Sequence, residues 1–233
     1  MTGAGARTEV TSPPRPGLRG VLQVRDMRLL LGGFVTSRTG DFLYSVALVV
    51  FVAETTGSAA WVSAASLVRL LPVVFLSPVA GVVGDRLPVR PLLIGCDLGQ
   101  AAAMFAMAAC VAADSPPAYV LLLAAVSSAL STPYFPVLTA VTPRLVAENQ
   151  LAATNTFVGT VENLALILGP AIGGLLLVLG PPSIPIMINA GTFLVSAALV
   201  SGVRHAGRPG DSGSPSADEA PGSADSDASA AAS

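Results

Sequence analysis

Apolar residues fill six long segments of this chain, and short polar breaks separate the segments. Each segment has roughly the 20 residues, or slightly more, that an α-helix needs to cross about 30 Å of hydrocarbon. A helix also satisfies its own backbone hydrogen bonds, as a lipid environment requires. The segments are 28–53, 60–84, 91–113, 117–142, 152–178 and 184–203. The pattern predicts an all-α membrane protein with six transmembrane helices, called here the first to the sixth span.

Basic residues occupy alternate loops between these spans. Arg residues lie in the N-terminal flank and in three further places. These are Arg86 and Arg90 after the second span, Arg144 after the fourth and Arg204 after the sixth. The other three loops contain no Arg. Because Arg in short loops is retained on the cytoplasmic side, we expect a multi-pass protein of the plasma (inner) membrane with both termini in the cytoplasm.

Composition separates the chain into three regions. With 52% hydrophobic and 11% charged residues, the chain as a whole is too apolar for an ordinary soluble domain. Residues 1–27 contain several Arg and no apolar core of signal-peptide length, which predicts a cytoplasmic N-terminal segment. Residues 28–204 form the predicted bundle. Residues 205–233 are Gly, Ser, Ala, Pro and acidic residues, which predicts a disordered tail.

Two short motifs stand out from the apolar background. The loop motif follows the second span and contains Gly81, Gly84, Asp85, Arg86 and Arg90. Glycines there allow close helix approach, while the acid and the two Arg can form charge-assisted pairs; a plain positive-inside anchor is the alternative interpretation. The fifth-span motif contains Gly169, Pro170, Gly173 and Gly174. There Pro removes a backbone hydrogen bond and the small residues favour helix packing, so an ordinary packing kink is its alternative.

Both motifs resemble signatures of the major facilitator superfamily. The first is similar to the family's loop between the second and third helices, and the second to the fifth-helix motif of export-type antiporters. Residues 37–48, 56–59 and 151–155 resemble the enterobactin-exporter and macrolide-efflux branch. The resemblance implies the N-terminal six-helix bundle of a two-bundle transporter that exports small molecules, drug or siderophore-like, in exchange for protons.

Ionisable residues inside apolar spans are costly and are therefore candidates for function. Four qualify: Arg38, Asp41, Arg69 and Glu162. Asp41 and Arg69 reach similar depths from opposite sides, so a pair between them is feasible, and Arg38 shares a helix face with Asp41. These residues form either neutralised packing pairs or a substrate or proton site, because desolvation favours the protonated carboxyl. Asp97 is expected to belong with the loop of Asp85.

Alternative functions remain open at this point. The chain is either half of an exporter, partnered by a second six-helix half or by a copy of itself, or a truncated or partner-dependent protein that inserts without transporting. In the second case the small-residue surfaces would face lipid or another copy. An enzyme is the weakest reading, because the sole His, His205, lies beyond the last span and cannot serve an intramembrane protease. No metal site, cofactor or nucleic-acid partner is predicted.

Overall fold

The computed structural model describes residues 18–204, except for the side chains of Leu18, Arg19 and Asp85. This part of the chain forms eight α-helices joined by short connections. They are α1 (Leu18–Gln23), α2 (Arg25–Thr56), α3 (Ala59–Arg86), α4 (Val89–Ala112), α5 (Pro117–Ser131), α6 (Tyr134–Leu145), α7 (Glu148–Leu179) and α8 (Ser183–Ser201). Most of residues 1–27 and all of 205–233, including His205, lie outside the described residues.

Within residues 18–204, six helical segments are long and apolar enough to cross a membrane, which confirms the predicted all-α, six-span fold. The first, second, third, fifth and sixth spans correspond to α2, α3, α4, α7 and α8. The fourth is broken: α5 ends at Ser131 and α6 begins at Tyr134. Pro133, which has no backbone N–H to donate, lies at this break.

A short helix precedes the first span, where the sequence indicated only a polar opening. Val21 of α1 is fully buried and packs in the same apolar cluster as Met27 of α2 and Val158 of α7. A single apolar side chain of this kind fixes a short segment against the bundle by removing its surface from water. The hydrophobic pattern of 18–23 is too short to predict this helix.

Helix α8 lies at the centre of the packing. It contacts α4 and α2 extensively, α2 also contacts α7, and α5 contacts α4 and α3. The end of the bundle at which α3 ends and α4 begins carries Arg86 and Arg90 and is called here the Arg-bearing end. One buried cluster, which includes Phe34 and Leu93, lies toward this end, and a second, which includes Met107 and Phe193, lies toward the other.

Two spans lie at the edge of the bundle. Only 11% of the apolar window of α3 and 22% of that of α7 is buried, against 44–50% for the other four spans. Their outward faces carry large apolar side chains, for example Phe75 on α3 and Val178 on α7. Such faces are stable in lipid or against another apolar surface.

Candidate functional site

A charged network lies near the midpoint of α2. Arg38 Nη1 is 3.6 Å from Asp41 Oδ2 within that helix, and Arg38 Nε is 3.8 Å from Glu162 Oε1 on α7. The guanidinium group therefore lies between two carboxyl groups on neighbouring helices. It also stacks 5.5 Å from the ring centroid of Phe34, which provides a further favourable contact for the cation. The arrangement joins the first and fifth spans electrostatically.

Arg69 of α3 reaches the same region from the second span. Its Nη2 donates a hydrogen bond to the backbone carbonyl oxygen of Asp41 over 3.4 Å, and its guanidinium carbon lies 5.0 Å from the centroid of the Tyr44 ring. Arg69 therefore lies level with Asp41 along the bundle. Its partner is the Asp41 carbonyl, however, and no ion pair between the two side chains is formed in the described structure. The carboxyl group of Asp41 contacts Arg38 instead.

These residues border a small polar cavity of about 100 Å³ between α2, α3, α4 and α5. It is lined by Arg38, Asp41, Phe42, Tyr44, Arg69, Val73, Gln100, Ser127, Ser128 and Ser131. Ser131 Oγ and Thr132 Oγ1 both donate to the Ser128 carbonyl oxygen, which holds the serine-rich end of α5 in place. A polar cavity in an apolar bundle offers hydrogen-bonding groups to a small ligand or to water.

The loop motif lies at the Arg-bearing end, away from the charged network. Gly84 packs against α6, because a Cβ built on it would lie 2.9 Å from Val137 Cγ2. Gly81 has open space around it, and Arg86 and Arg90 are exposed. The described side chains of this motif therefore meet water or the membrane surface and take no part in the central network.

The fifth-span motif is divided between two faces of α7. A Cβ built on Gly173 would lie 2.6 Å from the Leu43 carbonyl oxygen, and one built on Gly169 would overlap Phe42, so α7 crosses α2 backbone to backbone. Gly174 has nothing within 4 Å. Outward-facing small residues were expected only if the chain inserts without transporting, and Gly169 and Gly173 do not face outward. They form a contact inside the bundle, and only Gly174 belongs to the open face.

Asp97 lies inside the bundle, which corrects its assignment to the loop of Asp85. Its side chain is fully buried and Oδ2 accepts a hydrogen bond of 2.7 Å from Ser196 Oγ on α8. Gln100, also buried, shares its helix face one turn further along α4. The i,i+3 spacing of Asp97 and Gln100 in an apolar span is the sequence signal that could have indicated a buried polar site on α4.

Replacing Arg38 by Met is expected to destabilise the bundle by about 1–3 kcal/mol, because Asp41 and Glu162 then lose their shared cation. Thermal unfolding of the purified protein in detergent measures the change. Arg90→Met, at an exposed position of the Arg-bearing end, is the matched control and is expected to unfold like the original protein. Equal unfolding temperatures for the two variants would show that the network contributes nothing to stability.

A bundle of six apolar spans with charged side chains and a polar cavity halfway along it defines the chain as a multi-pass helical membrane protein, because charges at such depth are retained for function or for internal pairing. More particularly, the chain belongs to the major facilitator superfamily, whose family model matches residues 30–230. The resemblance to this family, which the sequence indicated, is thereby confirmed.

Two relatives extend this assignment. The chain is 30% identical over 145 residues to macrolide efflux protein A of Streptococcus pyogenes, an alignment that covers 62% of this chain and 36% of that protein. It is 27% identical over 178 residues to the uncharacterized MFS-type transporter YfiS of Bacillus subtilis (strain 168), covering 76% of this chain and 42% of the relative. The chain thus spans less than half the length of these relatives. No solved structure matches it significantly.

Proposed function

We propose that this chain provides the N-terminal six-helix bundle of a secondary active exporter, which moves small drug-like or siderophore-like molecules outward in exchange for protons. The observation that supports the proposal is the network of Arg38, Asp41 and Glu162, which lies halfway along the bundle beside a polar cavity and is partly exposed at the side of the bundle. Macrolide efflux by one relative supports export of a drug-sized molecule.

The network suits proton exchange because Arg38 lies between two acids at nearly equal distances. While Arg38 contacts Asp41, that carboxyl group is stabilised in its charged form. A shift of Arg38 toward Glu162 would leave the Asp41 carboxyl group without its cation, and a proton would then neutralise it. Movement of the first span against the fifth would in this way couple proton uptake to a change of shape.

The cavity of about 100 Å³ is too small for a drug-sized molecule. We therefore propose that it forms one wall of a larger substrate site, which a second six-helix bundle completes, supplied by a longer chain, a separate protein or a copy of this one. In this arrangement the Arg-bearing end faces the cytoplasm, together with both termini, as the positions of the Arg residues predict.

Transport by vesicles that contain the chain tests this function. Everted vesicles of native membranes, which contain the chain together with the bundle that completes it, are energised by an imposed proton gradient and are expected to accumulate a radiolabelled macrolide. They are expected to lose it when a protonophore collapses the gradient. Vesicles from cells without the chain provide the background. Accumulation that is equal in both, or that persists with the protonophore, would contradict proton-driven export.

A second candidate is a protein that inserts but transports only with a partner, or not at all. The outward faces of α3 and α7, with Phe75, Val178 and the open side of Gly174, favour it. Cross-linking in native membranes separates the two readings. A heterologous cross-link to a second membrane protein, together with the absence of transport by the chain alone, supports partner dependence, whereas monomers that transport would contradict it.

A further inference from the structure

Three buried polar atoms on α4 and α8 lack hydrogen-bond partners among the described residues. They are Asp97 Oδ1, Gln100 Oε1 and Asn189 Nδ2. An unpaired polar atom in an apolar interior destabilises the folded state, so three such atoms on facing helices suggest that this region has a function. All three residues are at most 2% exposed.

The three residues extend from the Arg-bearing end toward the charged network. Asp97 lies about two turns into α4, roughly 12 Å from its start, and Gln100 lies one turn deeper and lines the same cavity as Asp41. Asn189 of α8 packs against Gly40, the residue before Asp41. Polar groups therefore extend from Asp97 to Asp41 through the interior of the bundle.

Glycines on α2 make this close approach possible. A Cβ built on Gly33 would lie 2.9 Å from both Ser196 Oγ and Tyr134 Oη, and one built on Gly40 would overlap the Asn189 side chain. Gly33 and Gly40 are two turns apart on one face of α2. Because neither has a side chain, polar side chains of α8 fit against α2 at both positions. The site around Asp97 is thus built by three elements, α2, α6 and α8.

Asp97 and Asp41 have opposite electrostatic surroundings. Asp41 has Arg38 beside it, whereas no Arg of the described residues forms an ion pair with Asp97. The titratable groups within electrostatic range of Asp97 are Asp41 on α2, Tyr134 on α6 and Cys96 on α4 itself, while α8 has no titratable side chain. None of these groups supplies a positive charge to Asp97.

We propose that Asp97 is a second proton-carrying carboxyl group of the bundle, protonated while Asp41 is ionised against Arg38. An uncompensated carboxylate in a dry interior is strongly disfavoured, and a protonated carboxyl group is neutral. Because the two carboxyl groups lie within electrostatic range, ionisation of one opposes ionisation of the other. The inference rests on the proposed proton exchange and adds a second site to it.

Infrared spectroscopy of the whole chain in lipid nanodiscs tests the assignment directly. The carbonyl band of a protonated carboxyl group is expected at neutral pH and is expected to be lost in Asp97→Asn. Asp114→Asn is the control, because Asp114 is exposed in a loop and its left-handed backbone is one that Asn also adopts. A band that survives in Asp97→Asn would overturn the proposal.

The dependence of unfolding on pH provides a second readout. A group that is protonated when folded and ionised when unfolded loses its stabilising effect as pH rises through its folded-state titration. The unfolding temperature of the original protein is therefore expected to fall by about 3 °C or more, relative to Asp97→Asn, as pH rises from about 4, where an unfolded aspartate begins to ionise, to about 9. Parallel curves for the two proteins would contradict the proposal.

Ser196→Ala keeps the test decisive if Asp97→Asn does not fold. Loss of the hydroxyl donor removes a hydrogen bond that stabilises the charged form, so the Asp97 band is expected to persist to higher pH in this variant. An unchanged titration would count against the site. Neither measurement requires transport. A carbonyl band that depends on Asp97, in a protein without proton-driven efflux, would contradict only the proposed function. Proton-driven efflux without this band would contradict only the present inference.

Discussion

Asp41→Asn is expected to abolish proton-driven efflux, a loss of at least about tenfold, in membranes in which the chain supports efflux. Asn has nearly the shape of Asp but cannot gain or lose a proton, so the substitution fixes the site in an uncharged state. Arg38 then keeps only Glu162 as its partner, and the exchange between two acids ends. Macrolide accumulation in everted vesicles, with and without a proton gradient, measures the loss.

Two comparisons make this result specific to Asp41. Asp114→Asn changes an exposed loop carboxyl group in the same way and is expected to transport like the original protein. Protein amount and unfolding temperature must be similar in both variants, because a misfolded protein would also fail to transport. Unchanged proton-dependent efflux in folded Asp41→Asn would remove this residue from the mechanism.

Gly173→Leu is expected to destabilise the bundle by about 1–3 kcal/mol or more, because the first added carbon already lies against the Leu43 carbonyl oxygen. The larger side chain must force α7 away from α2. That displacement would also separate Glu162 on α7 from Arg38 on α2. Thermal unfolding in detergent measures the stability, and efflux measures the effect on the network.

Gly174 provides a control from the adjacent residue. Gly174→Leu introduces the same side chain into the same helix, but the space around Gly174 is open. Leu also favours the helix over Gly by close to 1 kcal/mol in general, so this variant is expected to be as stable as the original protein or slightly more so. If the two variants unfold alike, the backbone contact of α7 with α2 has no role in stability.

Much of the fold follows from local properties of the sequence. The number of spans depends on the length of the apolar segments, and each predicted segment overlaps its helix. The predicted segment 28–53, for example, lies within Arg25–Thr56. The family follows from short motifs that need only a few neighbouring residues. The break at Thr132 and Pro133 was not predicted because it interrupts no hydrophobic pattern, although Pro133 is a local signal for it. The short helix α1 was not predicted because it depends on the packing of a few side chains.

The candidate site was predicted only in part. The sequence located Arg38, Asp41, Arg69 and Glu162 inside the membrane, and an i,i+3 spacing predicted the Arg38–Asp41 pair that the structure contains. It could not indicate that Glu162 contacts Arg38, that Arg69 contacts a backbone carbonyl, or that Asp97 is buried against Ser196. Each of these contacts joins residues that are far apart along the chain.

The sequence by itself determined that this chain crosses the membrane six times, which loops carry its Arg residues, and which family it resembles. Only the tertiary structure decided which face of each helix lies inward. In a span that is apolar on every side, hydrophobic periodicity does not identify the buried face. The inward faces are fixed by close helix contacts, at Gly173 against α2 and at Ser196 against α4, which exist only after the helices have come together.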